Sequence, residues 1–450
     1  MCPVTSIDRD SPVPIYYQLK ALIQEQIESG LWRPGDRIPT EQELCRLYSI
    51  SRSPVRQALN QLAHEGVLVR RPGSGTFVSD RVSKGHSSDV PIRMMCSDAR
   101  WSKVLDHVCR VWNEEHCDRR ISFEVNVVSH SQFYNLLSTA VGSGVAPDVA
   151  MVDCVWVAGL AQSGFLYALE DLGSSKNHTE FEKDLYPAFV AANCFNGRLY
   201  GLPVKADTSL LWYRKDWFVQ EGLNPPRDWD DLLDVATHFL QPHVRRRYGL
   251  AHPLAFPGGR AGGEATVYNL MPFVWSAGGE VFDAESVVLD APGTRRALQF
   301  LRALVTHHRV SPSEVVGYRE DTAPRLFASG KVAMALGGSY EGEIIRDVSG
   351  WGEEEFAARV GCVVPPAAPG NYPVSTAGGT SYVILRQCRR PALLMDVLKI
   401  ATNPDVVGDL YRSMLQSSPR PSFNTLLTPD AEPLLMWTSH MIASGRARPS

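Results

Sequence analysis

The sequence predicts a multidomain protein, in which a small N-terminal α+β domain precedes a larger α/β domain. The chain has 450 residues, too many for one core at about 150 residues per domain. Apolar residues recur at helical spacing up to residue 62, and a hairpin pattern follows to residue 78. From residue 92, apolar strand patterns alternate with helical ones, which is typical of a mainly parallel sheet. We therefore predict domains at residues 1–78 and 92–450, joined by an exposed polar linker at 79–91.

Composition and charge narrow the function classes. Hydrophobic residues make up 44% of the chain and charged residues 21%, as in a soluble globular protein. The formal net charge is −4, so a contact with nucleic acid requires a local basic patch. Neither an apolar signal-like segment nor a run of about 18 apolar residues occurs, so we expect a cytoplasmic protein without a membrane partner. The nine cysteines include no CxxC pair, which favours reduced thiols and no metal site.

Segment 51–62 predicts an amphipathic helix. Ser53 suits an N-cap and Pro54 the first helical position, so we expect the helix to begin there. Its apolar face contains Val55, Ala58, Leu59 and Leu62, and its polar face contains Arg56, Gln57 and Asn60. Arginine and glutamine side chains suit the edges of guanine and adenine, and Arg52 precedes the helix. The pattern indicates a helix that binds the major groove of DNA, although an ordinary surface helix fits these residues equally well.

The neighbouring segments favour the DNA-binding interpretation. Helical spacing over residues 14–29 ends at Gly30, and Thr40 and Glu43 form a capping-box pattern that opens a second helix. A tight turn at 48–51 then leads into the segment above, which completes a helix-turn-helix. Residues 67–78 predict a β-hairpin wing around a Pro-Gly-Ser-Gly turn. A local basic patch is present, formed by Arg46, Arg52, Arg56, Arg70 and Arg71.

Residues 12–80 resemble the winged-helix domain of GntR-type bacterial repressors. The shared residues, in the family's order and spacing, are Pro34-Gly35-Asp36, Leu44, Ser51-Arg52, Val55-Arg56, Ala58-Leu59, Leu62, Glu65-Gly66 and Gly73-Ser74-Gly75-Thr76-Phe77-Val78. The resemblance implies a homodimer on a palindromic DNA operator, with Arg52 and Arg56 at the DNA and Gly73 at the wing tip. Together with the helix and wing patterns, it predicts the DNA-binding residues Arg52, Ser53, Arg56, Gln57, Asn60, Arg71, Gly73, Ser74 and Thr76. The sequence departs from the family at Gln42, where many members carry a basic residue.

The larger domain begins with alternating strand and helix patterns. Strands are predicted at 92–96, 121–128 and 148–152, and helices at 104–112 and 132–141. In open α/β sheets, ligands bind beyond the carboxyl ends of the strands. A ligand is therefore expected near Asp98, Arg100, Trp101 and residues 153–156.

From residue 166 onwards the chain resembles the solute-binding proteins of sugar ABC transporters. The matching segments are 166–172 (LYALEDL), 196–203 (NGRLYGLP), 207–216 (DTSLLWYRKD), 226–233 (PRDWDDLL), 275–279 (WSAGG), 327–334 (FASGKVAM) and 378–381 (GGTS). The resemblance covers residues 92–440 and implies a periplasmic-binding-protein-like domain, in which two α/β lobes close on a sugar about a hinge. The secretion signal and lipid-anchoring cysteine of that family are missing, and a DNA-binding domain stands in their place, so we expect an intracellular sensor.

Recognition of a sugar requires a flat apolar surface for its C–H face and polar groups for its hydroxyls. Candidate apolar surfaces are Trp101, Trp156, Trp275 and Tyr340. Candidate polar partners, carried over from the positions of the family's ligand contacts, are Asp153, Asp207, Ser339, Thr380 and Arg420. Each tryptophan alternatively occupies an ordinary core or surface position.

We predict a transcriptional repressor whose operator affinity is controlled by a sugar or oligosaccharide, with no cofactor and no catalytic residue. The alternatives are a carbohydrate-processing enzyme and a plain sugar-binding protein on the same scaffold. A glycosidase needs two facing carboxylates, for which Asp153 and Asp207 are the candidate pair. An aminotransferase-like domain needs a Schiff-base lysine in a serine-rich turn, and no lysine has that setting. Segment 258–263 is glycine-rich but lacks the strand and lysine of a phosphate loop, so we expect a flexible loop.

Overall fold

A computed structural model describes residues 7–9, 13–71, 73–79, 89–172, 181–282, 286–428 and 432–447. The chain forms two compact units. The first consists of Met1–Met151, Gly159–Gly173 and Val383–Ile400, and the second of Val152–Ala158, Ser174–Tyr382 and Ala401–Ser450. Within the described residues, no helix is both long enough and apolar enough to span a bilayer.

The N-terminal part of the first unit, residues 13–79, is a winged helix-turn-helix and is called the head below. Its elements are helices α1 (Ile15–Glu28), α2 (Glu41–Leu47) and α3 (Arg52–His64), and strands β1 (Leu68–Arg71) and β2 (Gly75–Val78). The predicted capping box opens α2, because the Thr40 side chain accepts from the Glu43 backbone and the Glu43 carboxylate accepts from Thr40. The apolar faces of the three helices form one core, which includes Leu19, Ile23, Leu44, Val55, Leu59 and Leu62.

Helix α3 begins earlier than the sequence predicts. Its N-cap is Ser51, whose backbone is extended with φ −73° and ψ 167°, and Arg52 is the first helical residue. The assignment of Ser53 as the N-cap is therefore wrong by two residues. Pro54 lies at the third helical position, which it tolerates because the first N–H groups of a helix have no intrahelical acceptor.

The wing is an antiparallel hairpin in which Leu68 pairs with Val78 and Arg71 with Gly75. Gly75 has φ +121°, and a Cβ added there would lie 2.8 Å from Nε of Arg37, so the position requires glycine. The predicted linker is too long at both ends. Ser79 is buried with its N–H donated to the carbonyl of Val67, and the next strand begins at Val90. Residues 80–88 of the predicted linker lie outside the described residues.

The rest of the first unit, called lobe 1 below, is a parallel α/β layer, as predicted. Its central strand, Val90–Cys96, pairs in parallel with Ile121–Val127 on one side and with Val149–Asp153 on the other. The main helices of lobe 1 are Ser102–Glu115, His130–Gly142 and Pro391–Ala401, the last of which ends just beyond the unit boundary. The Ser102–Glu115 helix buries Val104, Leu105, Val108 and Trp112 at the spacing that the sequence shows.

The second unit, called lobe 2 below, is built on a mixed sheet. The strands of this sheet in lobe 2 are Gly201–Arg214, His252–Ala255, Val332–Gly338, Val360–Val363, Thr376–Ile384 and Arg446–Ala447, and a separate two-stranded sheet consists of Cys194–Phe195 and Arg198–Leu199. Its helices are Pro187–Asn193, Lys215–Glu221, Trp229–Leu240, Pro242–Tyr248, Glu264–Ser276, Pro292–Thr306, Thr322–Ala328, Gly342–Ser349, Glu353–Arg359, Pro404–Ser413, Pro421–Asn424 and Pro433–Ala443. The Gly201–Arg214 strand is buried along nearly its whole length and runs antiparallel to Val332–Gly338 and Val360–Val363. The prediction of a mainly parallel sheet is therefore wrong for lobe 2, since a continuous apolar run does not encode strand direction.

The glycine-rich segment 258–263 is packed rather than a flexible loop, which corrects the prediction. The N–H of Gly258 donates to the carbonyl of Val315 over 2.9 Å. A Cβ added to Gly259 would lie 2.7 Å from Cα of Val316. The glycines allow two backbone segments to approach closely, so this segment serves packing.

Candidate functional sites

The polar face of α3 and the wing tip expose nearly all of the predicted DNA-binding side chains. The exposed members are Arg52, Ser53, Arg56, Gln57, Asn60, Arg71, Gly73 and Ser74, and Thr76 is half-buried. The opposite face of α3 is buried in the core of the head through Val55, Ala58, Leu59 and Leu62. The core therefore fixes which face of the helix points outward.

One carboxylate holds the two arginines of α3. Nε of Arg56 lies 3.0 Å from Oε2 of Glu41, and Nε of Arg52 lies 3.6 Å from the same oxygen. The two arginine side chains remain 58% and 66% exposed, so this weak surface pairing orients the guanidinium groups without removing them from solvent. Among the described residues, Arg46, Arg70 and Arg71 have no ion-pair partner, so the basic patch keeps a positive excess.

In lobe 2, Asp207 and Ser339 meet at neighbouring strands. Ser339 directly follows the Val332–Gly338 strand, and its Oγ lies 3.4 Å from Oδ1 of Asp207. The same Oγ accepts the backbone N–H of Thr208 over 3.1 Å. The strand pairing thus fixes both side chains, and both are mostly buried.

Several charges surround Asp207. Burial raises the pKa of its carboxyl above the usual value, and the nearby Lys205 opposes this rise. The charge of Asp153 raises the pKa further, whereas hydrogen bonds from Gln416 and Ser339 lower it. Asp153 also accepts the N–H of Val155 over 3.2 Å at the end of its own strand. The structure therefore brings the two predicted carboxylates, Asp153 and Asp207, into one electrostatic cluster with Lys205, Ser339 and Gln416, called the lobe 2 cluster below.

Aromatic side chains lie beside this cluster. The rings of Tyr268 and Tyr340 are 6.0 Å apart in an edge arrangement, and Oγ of Ser209 donates to the carbonyl of Tyr268 over 2.8 Å. Tyr268 and Trp275 are separated by seven residues on the Glu264–Ser276 helix and so share a face. The guanidinium of Arg446 lies 4.9 Å from the Trp275 ring centroid. Burial and the charges of Glu341 and Asp207 raise the pKa of the Tyr340 hydroxyl, so this ring lies close to a carboxylate of the cluster, as a sugar site requires.

Several buried polar atoms of lobe 2 have no hydrogen-bond partner among the described residues. They include Nε1 of Trp275, Nδ2 of Asn269 and Oγ1 of Thr380. A buried polar group left without a partner costs about 1–3 kcal/mol, and a ligand hydroxyl would remove that cost. Thr380 follows Gly379, where an added Cβ would lie 2.8 Å from the carbonyl carbon of Lys205, so the glycine lets the Thr376–Ile384 strand approach the strand of Asp207.

Two predicted ligand residues are committed elsewhere in this structure. Trp101 is completely buried in lobe 1 and presents no face to a ligand, so its assignment as a platform is corrected to a core position. Nε of Arg420 donates to Oδ2 of Asp184 over 2.6 Å, and its Nη1 donates to the carbonyl of Thr402 over 2.8 Å. Arg420 therefore ties segments of lobe 2 together. Trp156 is half-buried, in the short turn that follows Asp153.

The sequence interpretation missed three residues at the lobe 2 cluster, namely Lys205, Tyr268 and Gln416. A signal existed for Lys205, which lies two residues before Asp207 on one strand and so on the same side of it. Helical spacing from Trp275 likewise indicated Tyr268. No local pattern marks Gln416, whose Nε2 donates to the carbonyl of Ala206 over 3.1 Å from a distant segment. Within the described chain, no group of three or more His, Cys, Asp or Glu side chains is placed to hold a metal ion.

Comparison with known proteins assigns each part of the chain to a family. Residues 98–407 match the family model of bacterial extracellular solute-binding proteins, and residues 15–78 match that of bacterial regulatory proteins of the gntR family. Both matched families are of regulator or solute-binding type. Each match falls on one of the two resemblances that the sequence motifs carry.

Individual relatives agree with this division. The N-terminal part of the chain, including the head, is similar to the histidine utilization repressor of Klebsiella aerogenes, at 43% identity over 103 residues, which is 23% of this chain and 42% of that repressor. It is also similar to the HTH-type transcriptional repressor NagR of Bacillus subtilis, at 46% identity over 74 residues, which is 16% of this chain and 30% of NagR. The maltose-bound MalE3 of T. maritima matches at 25% identity with a TM-score of 0.66, covering 80% of this chain and 89% of MalE3. The chain therefore belongs to the bacterial extracellular solute-binding protein family and carries a GntR-family winged-helix DNA-binding domain at its N-terminal side.

Proposed function

We propose that the protein is a cytoplasmic transcriptional repressor whose affinity for a palindromic operator is controlled by a sugar or oligosaccharide. It acts as a homodimer, with one α3 helix in each half-site. One observation carries this proposal: a single chain holds an exposed arginine-bearing helix and, in lobe 2, a carboxylate cluster walled by aromatic rings.

The head supplies the support for operator binding. Arginine at a major-groove helix recognises guanine through two hydrogen bonds, and Arg52 and Arg56 lie exposed at the start of α3. Such heads bind paired half-sites about one DNA turn apart, and this spacing favours a dimer. The similarity of the head to two repressors supports repression rather than activation of transcription.

Lobe 2 supplies the support for sugar binding. Asp207 and Ser339 offer acceptors and a donor at hydrogen-bond distance from each other, and Tyr268 and Tyr340 offer apolar ring faces beside them. The unpartnered donors of Asn269 and Trp275 suit acceptor oxygens of a hydroxylated ligand. The likeness to a maltose-bound protein supports a carbohydrate over other small solutes.

A thermal-shift screen of the full chain tests the sugar assignment. The panel holds maltose, other oligosaccharides and their component monosaccharides. A ligand at 100 times its dissociation constant adds about 2.7 kcal/mol to the stability of the state that binds it, which shifts the unfolding midpoint by an easily measured amount. Each hit is confirmed by calorimetric titration and by chromatography of the recovered sugar, which we expect unchanged. A panel without a single binder contradicts the assignment of the lobe 2 cluster.

A further inference from the structure

Helix α1 of the head is buried on two sides. One side, with Leu19, Ile23 and Ile27, lies in the core of the head. The other side carries Tyr16 and Tyr17, whose rings are also buried in that core, and Lys20, whose ammonium pairs with Glu65 of the head. Buried polar groups need partners, and the partners of the two tyrosine hydroxyls lie outside the head.

Lobe 1 provides that contact at the turn after the His130–Gly142 helix. Oη of Tyr16 donates to the carbonyl of Ser143, and Oη of Tyr17 donates to the carbonyl of Gln387 over 3.0 Å. Gly144, in the same turn, has φ +72°, and a Cβ added there would lie 2.9 Å from Cζ of Tyr16 and 3.2 Å from Cδ2 of Tyr17. The two rings therefore rest on a position that has room only for glycine.

Lobe 1 holds this receiving turn rigidly. The buried side chain of Gln387 spans it, because Nε2 donates to the carbonyl of Val141 over 2.7 Å and Oε1 accepts the N–H of Ala146 over 3.0 Å. Nearby, Arg93 binds Asp148 through two nitrogens at 3.1 and 3.2 Å. The Gln387 carbonyl that accepts from Tyr17 and the turn beneath the tyrosine ring thus belong to one hydrogen-bonded framework.

The contact is narrow. A cavity of about 530 Å³ lies between the head and lobe 1 beside Tyr17, and its walls include Lys20 and His64 of the head and Arg93 and Arg390 of lobe 1. A broad apolar interface would leave no such space. The attachment of the head therefore depends on the tyrosine pair more than on area, and a single substitution should loosen it.

We propose that α1 is the docking element that fixes the head to lobe 1, through Tyr16 and Tyr17 seated on the Gly144 turn. The head then moves with lobe 1 as one body. This role in regulation rests on the proposed function: when sugar binding moves lobe 1, the movement reaches α3 through this contact.

Hydrogen exchange followed by mass spectrometry on the full chain, without sugar or DNA, tests the proposal. Gly144→Ala places a methyl group against both rings, and the double variant Tyr16→Phe with Tyr17→Phe removes only the hydroxyl donors. Each lost hydrogen bond contributes modestly to stability, so amides of the head, residues 13–79, should exchange about fivefold to thirtyfold faster in both variants. Because the head core lies far along the chain from residue 144, strain confined to the turn would leave these amides unchanged.

Gly222→Ala is the matched control, since Gly222 has φ +66° and no atom within 4 Å of an added Cβ. It introduces the same backbone strain without touching a tyrosine, and should leave exchange in the head unchanged. Head amides that exchange at the wild-type rate in both docking variants overturn the proposal. The double variant keeps the test decisive if Gly144→Ala fails to fold. Because the exchange experiment contains neither sugar nor DNA, a negative result there contradicts only the docking proposal and not the proposed function. Likewise, a protein whose operator affinity does not respond to sugar could still show the docking contact.

Discussion

Replacement of Arg56 by alanine tests the DNA-binding role of α3. Arg56 lies on the exposed face of the helix, where Glu41 is its only ion-pair partner among the described residues. Nothing in the core of the head depends on its side chain, because the buried face of α3 consists of Val55, Ala58, Leu59 and Leu62. The substitution should therefore change operator affinity far more than it changes folding.

The two effects have different magnitudes. An exposed ion pair such as Arg56 with Glu41, in which the arginine is 58% exposed, stabilises a fold by about 0–1 kcal/mol. A two-point contact from arginine to guanine contributes about 1–3 kcal/mol of discrimination, or roughly fivefold to 150-fold in affinity. Arg56→Ala should thus weaken operator binding by a factor in that range and leave the unfolding midpoint nearly unchanged.

Fluorescence anisotropy at fixed salt gives the comparison, with an operator selected from random duplexes and variants of it changed one base pair at a time. If Arg56 contacts a base, the variant loses affinity for the selected operator and no longer distinguishes substitutions at one position of each half-site. Arg119→Ala is the charge-matched control, since Arg119 is 73% exposed on lobe 1. Equal weakening for every duplex would instead assign Arg56 to a phosphate. Unchanged binding by both Arg52→Ala and Arg56→Ala would refute the assignment of α3.

Three further predictions concern lobe 2. Asp207→Asn should weaken binding of the sugar found in the screen, because it removes the carboxylate at the centre of the lobe 2 cluster, and it should leave operator affinity without sugar unchanged. The control Asp234→Asn, at an exposed position of the same lobe, should change neither affinity. Trp275→Ala should weaken sugar binding in calorimetric titration, whereas the control Trp437→Ala, at a tryptophan that is 61% exposed, should not. If Trp275→Ala and Asp207→Asn both fail to fold, the two residues are instead assigned to the core. Burial raises the pKa of Glu341 well above the usual glutamate value despite the hydrogen bond from Nε1 of Trp212, so the folded state keeps a proton that the unfolded state releases. Stability should therefore fall as pH rises above the ordinary glutamate pKa, and Glu341→Gln should flatten this dependence in denaturation midpoints from about pH 5 to pH 8, whereas parallel curves would contradict the burial of a protonated carboxyl.

Local sequence rules predicted the head almost completely. Its helices are amphipathic with a single core, the capping box at Thr40 and Glu43 is a short-range pattern, and the wing turn needs glycine at Gly73 and Gly75. The start of α3 was misplaced because both Ser51 and Ser53 suit an N-cap, and only tertiary packing decides between them. The parallel strands of lobe 1 were also predicted correctly, because they follow from alternating strand and helix patterns of short range.

The lobe 2 cluster could be predicted only in part. Asp207 and Ser339 were indicated by family motifs, but their contact joins residues that are 132 positions apart. Gln416 reaches the cluster from a distant segment that no local pattern indicates, whereas Lys205 was overlooked although it lies two residues before Asp207 on the same strand. Trp101 was misassigned for the related reason that a tryptophan beyond a strand end packs inward or outward depending on the whole lobe, and here it is completely buried.

The central claim, that the sugar controls operator binding, is tested most directly by measuring both affinities reciprocally on one preparation. Sugar affinity is measured with and without saturating operator, and operator affinity with and without saturating sugar. Thermodynamic linkage requires the two ratios to be equal, and typical coupling of about 1–3 kcal/mol predicts that each differs from one by roughly fivefold to 150-fold. We expect sugar to weaken operator binding and operator to weaken sugar binding by that same factor. Two ratios equal to one, in a protein that binds both ligands, would contradict the account.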